Sequence, residues 1–119
     1  NRVAEICSHL AGVRSSLAQG LGVNESTFVK VPVAFTTASD GQVSTYLPNM
    51  INMIVIRNVT GVRRLVVPEP FFDPFADALL GELESLGYQT GEAWFVNTCG
   101  PHSTGGEAHC ASNVRREAP

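Results

Sequence analysis

Apolar residues Val3, Ile6, Cys7, Leu10, Val13 and Leu17 recur every three or four positions at the start of the chain. That period marks one face of an α-helix. Gly20 and Gly22 follow, where glycine predicts a C-terminal cap. Residues 27–33 alternate and are rich in β-branched side chains, which predicts a strand. Pro32 within it has no N–H to give a ladder and places the strand at an edge or an end. Ala38-Ser39-Asp40-Gly41 predicts a turn, with Asp-Gly as a hairpin signal. Residues 50–56 are apolar except for Asn52 and predict a strand buried on both faces. Residues 58–61 predict a turn, and Leu65-Val66-Val67-Pro68 a further short strand. A second helix is predicted from Asp73 as cap and Pro74 in the first turn, where its missing N–H costs nothing. Phe75, Leu79, Leu83 and Leu86 line one face of it, and Gly87 ends it. Residues 88–97 return as a strand. The stretch 98–106, rich in Gly, Pro, Ser and Thr, reads as a loop, and 107–111 as a short extended piece. The order α-β-β-β-β-α-β-loop-β predicts a mixed α/β chain with no internal boundary that divides it in two.

Composition narrows the classes. The 119 residues are 44% hydrophobic, enough for a core and too many for disorder. The net charge is −3, and the densest basic clusters are the pairs Arg63-Arg64 and Arg115-Arg116. Nucleic-acid binding therefore has no electrostatic footprint. No apolar run reaches the roughly 18 residues of a membrane span. The chain opens without Met or a signal peptide, which predicts a fragment or a processed chain. Cys7, Cys99 and Cys110 are odd in number, so at least one is free or paired outside the chain. Two sequons, Asn24-Glu25-Ser26 and Asn58-Val59-Thr60, lean toward secretion without deciding localisation.

Candidate chemistry gathers near the C-terminus. Cys110 sits in Gly105-Gly106-Glu107-Ala108-His109-Cys110-Ala111-Ser112-Asn113. Two glycines beside a thiol leave room for a substrate; the plainer reading is a small buried core cysteine. In an extended segment His109 points away from Cys110. His102 is within reach as a Cys–His partner, though a loop histidine without a role is the simpler reading. His9 reads as a half-buried helix residue. Cys99, His102, His109 and Cys110 also spell a zinc pattern, but adjacent ligands on a strand diverge, which argues against it. Glu82, Glu84 and Glu92 read as solvated. Glu107 is different, close enough to disfavour a thiolate or to orient His109. Asn52, inside an apolar strand, needs partners, either as a local backbone cap or as support for a nearby loop.

Three stretches together resemble the protein arginine deiminases. The run from Gly106 to Arg116, Gly-Glu-Ala-His-Cys-Ala-Ser-Asn-Val-Arg-Arg, resembles the signature around that family's catalytic cysteine. Residues 46–56, with Pro48-Asn49-Met50-Ile51-Asn52-Met53, are similar to its Pro-Asn-Met-Val-Asn-Met strand. The opening helix before a Val-Pro strand is similar to the segment that precedes it. Ala111-Ser112 departs from the family's usual Gly-Thr, and Thr104 and Gly105 are slimmer than the usual residues there. A wider likeness to the guanidine-modifying (pentein) superfamily implies a five-bladed α/β propeller of ββαβ-like modules. This chain would supply about the last two modules, an incomplete C-terminal part of one catalytic domain.

The resemblance implies hydrolytic deimination of peptidyl-arginine, with Cys110 as nucleophile and Thr104 and Gly105 along the substrate backbone. Two aspartates and a histidine of the family site lie upstream of this segment. Calcium is admitted as a cofactor by the same resemblance, with no ligands in this chain. The implied partners are an arginine-containing protein or peptide and the remainder of the catalytic domain. Competing readings are a deiminase of free arginine or agmatine and a non-catalytic binding or assembly module.

Overall fold

A computed structural model describes residues 2–112. The chain divides into two compact units, Asn1–Lys30 and Val31–Pro119. The first consists of helix α1 (Arg2–Leu21) and a 3-10 turn, Glu25–Thr27. Gly22, at φ +67°, ends α1, and Val23 N–H reaches back to Ala18 O at 3.0 Å. This is the left-handed cap that glycine permits. Ser15 Oγ donates to Glu25, and Arg14 Nε adds an ion pair to it at 2.7 Å. The Ser15 hydrogen bond and then Arg14 hold the Glu25 carboxyl below its ordinary value of 4.5. That tie is present above the usual carboxylate range and is lost as pH falls through the lowered value.

In the second unit a hairpin pairs β1 (Phe35–Thr37) with β2 (Val43–Thr45). Asp40-Gly41 turns it as the sequence predicts: Gly41 has φ +84° and Ala38 N–H bonds Gln42 O at 2.8 Å. A three-stranded sheet follows in the order β3 (Ile54–Arg57), β4 (Arg63–Pro68), β5 (Ala93–Val96). The strands β3 and β4 are antiparallel across the 58–62 turn, where Asn58 Oδ1 accepts from Thr60 and Val62 N–H. In contrast β4 and β5 are parallel, so the chain must cross over between them, and helix α2 (Asp73–Ser85) makes the crossing. The result is a ββαβ unit. Leu79 and Leu83 of α2 are buried with Leu65 and Val67 of β4 and with Met50, and Phe75, Tyr88 and Phe95 pack around them. The last element is a short helix, α3 (Cys99–Ser103).

Five predicted elements take a different form. The strand expected over 88–97 is shortened to β5, preceded by a 3-10 turn at Thr90–Glu92. The strand expected over 27–33 is absent: 25–27 is a 3-10 turn, Asn24 Oδ1 accepts Ser26 N–H, and the first strand starts at Phe35. The strand expected over 50–56 shrinks to β3, an edge strand with three of its four residues exposed. Asn49 is the cause: its Oδ1 takes Ile51 N–H and its carbonyl takes Asn52 N–H, both at 3.0 Å, turning the chain before the ladder begins. The loop expected over 98–106 contains α3, started by Asn97 Oδ1 accepting Cys99 N–H. The extended piece expected over 107–111 is a turn, closed by Ala111 N–H on Glu107 O at 2.9 Å. Helix α2 starts at its predicted cap, one residue early, so Asp73 is its first residue and Phe72 the cap position. Its carboxylate still sits where the helix dipole favours negative charge.

Candidate active site

The site is built from two turns laid against each other. One is the 49–52 turn that leads into β3. The other is the 107–111 turn that carries Cys110. Asn52 joins them with both ends of its amide. Its Oδ1 accepts His109 N–H at 2.9 Å and Cys110 N–H at 3.2 Å, and its Nδ2 donates to Cys110 Sγ at 3.0 Å. Two backbone donors on one atom fix that atom as the oxygen, so the amide presents N–H to the sulfur. His109 N–H is also shared with Asn52 O at 3.1 Å.

Three residues back in each turn, Glu107 makes the second joint with Asn49. Oε1 accepts Asn49 N–H at 3.1 Å and His102 Nδ1–H at 2.6 Å, and Oε2 accepts Thr98 Oγ1–H at 2.8 Å. An ionised carboxylate only accepts, so Nδ1 carries the proton in this arrangement. Glu107 is only 6% exposed, and all of its burial is matched by donors. Gly105 lets the chain double back from α3 to reach it: φ is +85°, a region that side-chain-bearing residues avoid.

Beside the joints lies an open depression of about 530 Å³ lined by Ser44, Thr45, Asn49, Asn52, His102, Ser103, Gly105 and Glu107. Its lining is hydroxyls, amides and the His102–Glu107 pair. Cys110 does not line it; Asn52 touches both the depression and the sulfur.

Cys110 is exposed in this chain, not packed into its core. Cys7 and Cys99 are also free and exposed thiols. Of the expected rim, Gly105 lines the depression, while Thr104 is exposed and turns its hydroxyl to Pro101 O at 2.9 Å. The histidine that Glu107 orients is His102, not His109, because the 107–111 segment turns instead of extending. His102 lies in α3 with a side chain 23% exposed, not in an open loop. Sequence reasoning met Asn49 only as part of a motif, with no role in the site, and did not bring out Ser44 and Thr45. The signal for the His102–Glu107 contact was present in the two glycines between them, which let five residues fold back. Asn113, Val114, Arg115 and Arg116 lie outside the described residues.

The pairing of an Asn-bearing 49–52 turn with a Gly-Glu-x-His-Cys turn brings the two resembling stretches into one place. The protein-arginine deiminase (PAD) family profile matches residues 1–119. The chain belongs to the protein-arginine deiminase family. It is 31% identical over 111 residues to protein-arginine deiminase type-4 of Homo sapiens, covering 87% of this chain and 16% of that protein. Rattus norvegicus protein-arginine deiminase type-3 is 30% identical over 125 residues, covering 98% of this chain and 17% of that protein. The Mus musculus type-4 protein is 30% identical over 116 residues. The chain therefore spans about a sixth of the length of the curated relatives it matches. Among the described residues, no group of three or more His, Cys, Asp or Glu is placed to hold a metal ion. No helix among them is long and apolar enough to cross a membrane.

Proposed function

We propose that the protein containing this chain hydrolyses arginine residues of proteins or peptides to citrulline, and that this chain supplies the nucleophile, Cys110. One observation carries the reading: an exposed thiol held by a side-chain amide that donates to its sulfur. Such a donor strengthens when the sulfur is negative, and the thiolate is the nucleophilic form.

The chemistry runs in two halves. The Cys110 thiolate bonds to the guanidinium carbon, and the π pair of one C–N bond moves to nitrogen. A general acid protonates the leaving nitrogen and the C–N bond breaks, releasing ammonia and leaving an S-alkyl thiouronium. Water adds to that carbon, giving one proton back to the group that acted as acid and a second to solvent or ammonia; the C–S bond breaks, the thiolate is regenerated and citrulline is released. The positive charge of the substrate favours the thiolate that attacks it.

Thr104 and Gly105 form a low rim along the substrate backbone in this reading. The acid/base histidine and the aspartates that grip the guanidinium belong to segments outside this chain, as do any calcium ligands. The ββαβ unit β3-β4-α2-β5 is the kind of module from which the implied propeller is assembled, and the chain completes one catalytic domain with the rest of the protein. Asn24 and Asn58 are both exposed, which suits glycosylation if the protein is secreted.

Alkylation tests the reading. In the whole protein, a haloacetamidine, a guanidinium mimic with a leaving group, is expected to label Cys110 faster than Cys7 and Cys99, as read by peptide mass mapping. Equal labelling of all three argues for a non-catalytic module. Preference for free arginine over a blocked arginine peptide in a citrulline assay argues for a small-molecule deiminase.

A further inference from the structure

We infer that Glu107 is the positioning residue that sets the Cys110 sulfur, acting as the anchor of a two-point clamp between the 49–52 and 107–111 turns. The inference rests on the reading of Cys110 as nucleophile.

The clamp has a regular form. Glu107 bonds Asn49 and Asn52 bonds Cys110, and both joints span 58 residues of chain. Two hydrogen-bonded joints three residues apart fix both the separation and the rotation of one turn against the other, which a single joint does not. At the Asn52 joint, every group involved belongs to the presentation of Cys110: its N–H, its neighbour's N–H and its sulfur. At the Glu107 joint, the carboxylate reaches Asn49 on one side and α3 on the other, through Thr98 before its start and His102 near its end. Glu107 also begins the turn, since its carbonyl takes Ala111 N–H. The residue therefore fixes where the Cys110 turn starts, through three hydrogen bonds to two parts of the fold, the 49–52 turn and α3.

The charge is required as well as the shape. All three partners of the carboxylate are donors in this arrangement, an N–H, an O–H and an Nδ1–H. A glutamine in its place has one acceptor oxygen and one donor nitrogen. Oε1 already serves two donors, so the amide nitrogen then faces Thr98, or a rotated amide faces Asn49 and His102. In the second case a donor meets a backbone donor and the joint opens. Even in the first, the charge-assisted bonds at Asn49 and His102 become neutral ones, roughly half as strong. The sulfur then loses its fixed position, and displacing a reacting atom by about 1 Å can cost on the order of 100-fold in rate.

The test uses the whole protein with a blocked arginine peptide, comparing Glu107→Gln and Thr98→Val with wild type. The expected result is a kcat lowered by about 100-fold in Glu107→Gln, with KM changed less than twofold. Iodoacetamide labelling of Cys110 should slow in parallel. Thr98→Val removes a single donor at nearly constant volume; it is expected to lower kcat about tenfold with KM held, and it carries the test if Glu107→Gln does not fold. A folded Glu107→Gln, or failing that a Thr98→Val, with wild-type kcat and wild-type labelling overturns the inference. Equal changes in KM and kcat also overturn it, because they indicate disturbance of substrate binding. Failure of the underlying reading looks different: Cys110→Ala then retains turnover.

Discussion

Asn52 has an acceptor at one end of its amide and a donor at the other, and both are occupied by residues 109–110. The sequence marks Asn52 as a polar residue that must find partners, but not which ones, because those partners lie 57 and 58 residues away. The same distance explains the misread 107–111 segment. Its short polar-apolar pattern suits a strand locally, while the N–H groups a strand would use are taken by Asn52 across the fold. For Cys110 the local sequence left two readings, an accessible thiol beside glycines and a small core cysteine; in the structure the residue is exposed. Asn52→Asp tests the residue directly. It exchanges the N–H aimed at the sulfur for a negative oxygen while keeping the size. Losing a hydrogen bond to a charged group is worth about 1.5–3 kcal/mol, so iodoacetamide labelling of Cys110 in the whole protein should slow roughly 10- to 100-fold. A rate within twofold of wild type would remove Asn52 from the account.

Among the elements, α2 is the best written in the sequence. Proline in its first turn, an apolar face through Leu79 and Leu83, and Gly87 after its end all match the structure. Leu86, expected on the same face, is exposed instead. Gly87 at φ +79° allows the closing pair of bonds, Tyr88 N–H to Leu83 O at 3.0 Å and Gly87 N–H to Glu84 O at 2.9 Å. Gly87→Ala forces a Cβ into that left-handed geometry at a cost of about 1–2 kcal/mol. Hydrogen exchange at the amides of Gly87 and Tyr88 is therefore expected to quicken about tenfold; unchanged protection would contradict the cap. Shorter elements were less legible because their signals are side-chain to backbone bonds, which composition does not reveal. Asn49 cut short the predicted strand over 50–56, and Asn97 helped start a helix inside a Gly- and Pro-rich stretch. For β3 the error has a second source. A continuous apolar run suggests a central strand, but here β4 is central and β3 the edge.

At the scale of the whole molecule, the chain contributes a thiol, its two-point clamp and one ββαβ unit, within about a sixth of its relatives' length. Among the described residues the carboxylate nearest Cys110 in sequence, Glu107, has both oxygens engaged and is not free to grip a guanidinium. On this account the isolated 119-residue chain releases no citrulline. During turnover Cys110 Sγ is expected to become bonded to the substrate carbon. Acid quenching of the whole protein in its steady state with a short arginine peptide, followed by proteolysis and mass mapping, reads that bond. The expected result is the peptide's mass less ammonia on the fragment that carries Cys110, and no such adduct in Cys110→Ala. An adduct on another residue, or full citrulline production by Cys110→Ala, would contradict it.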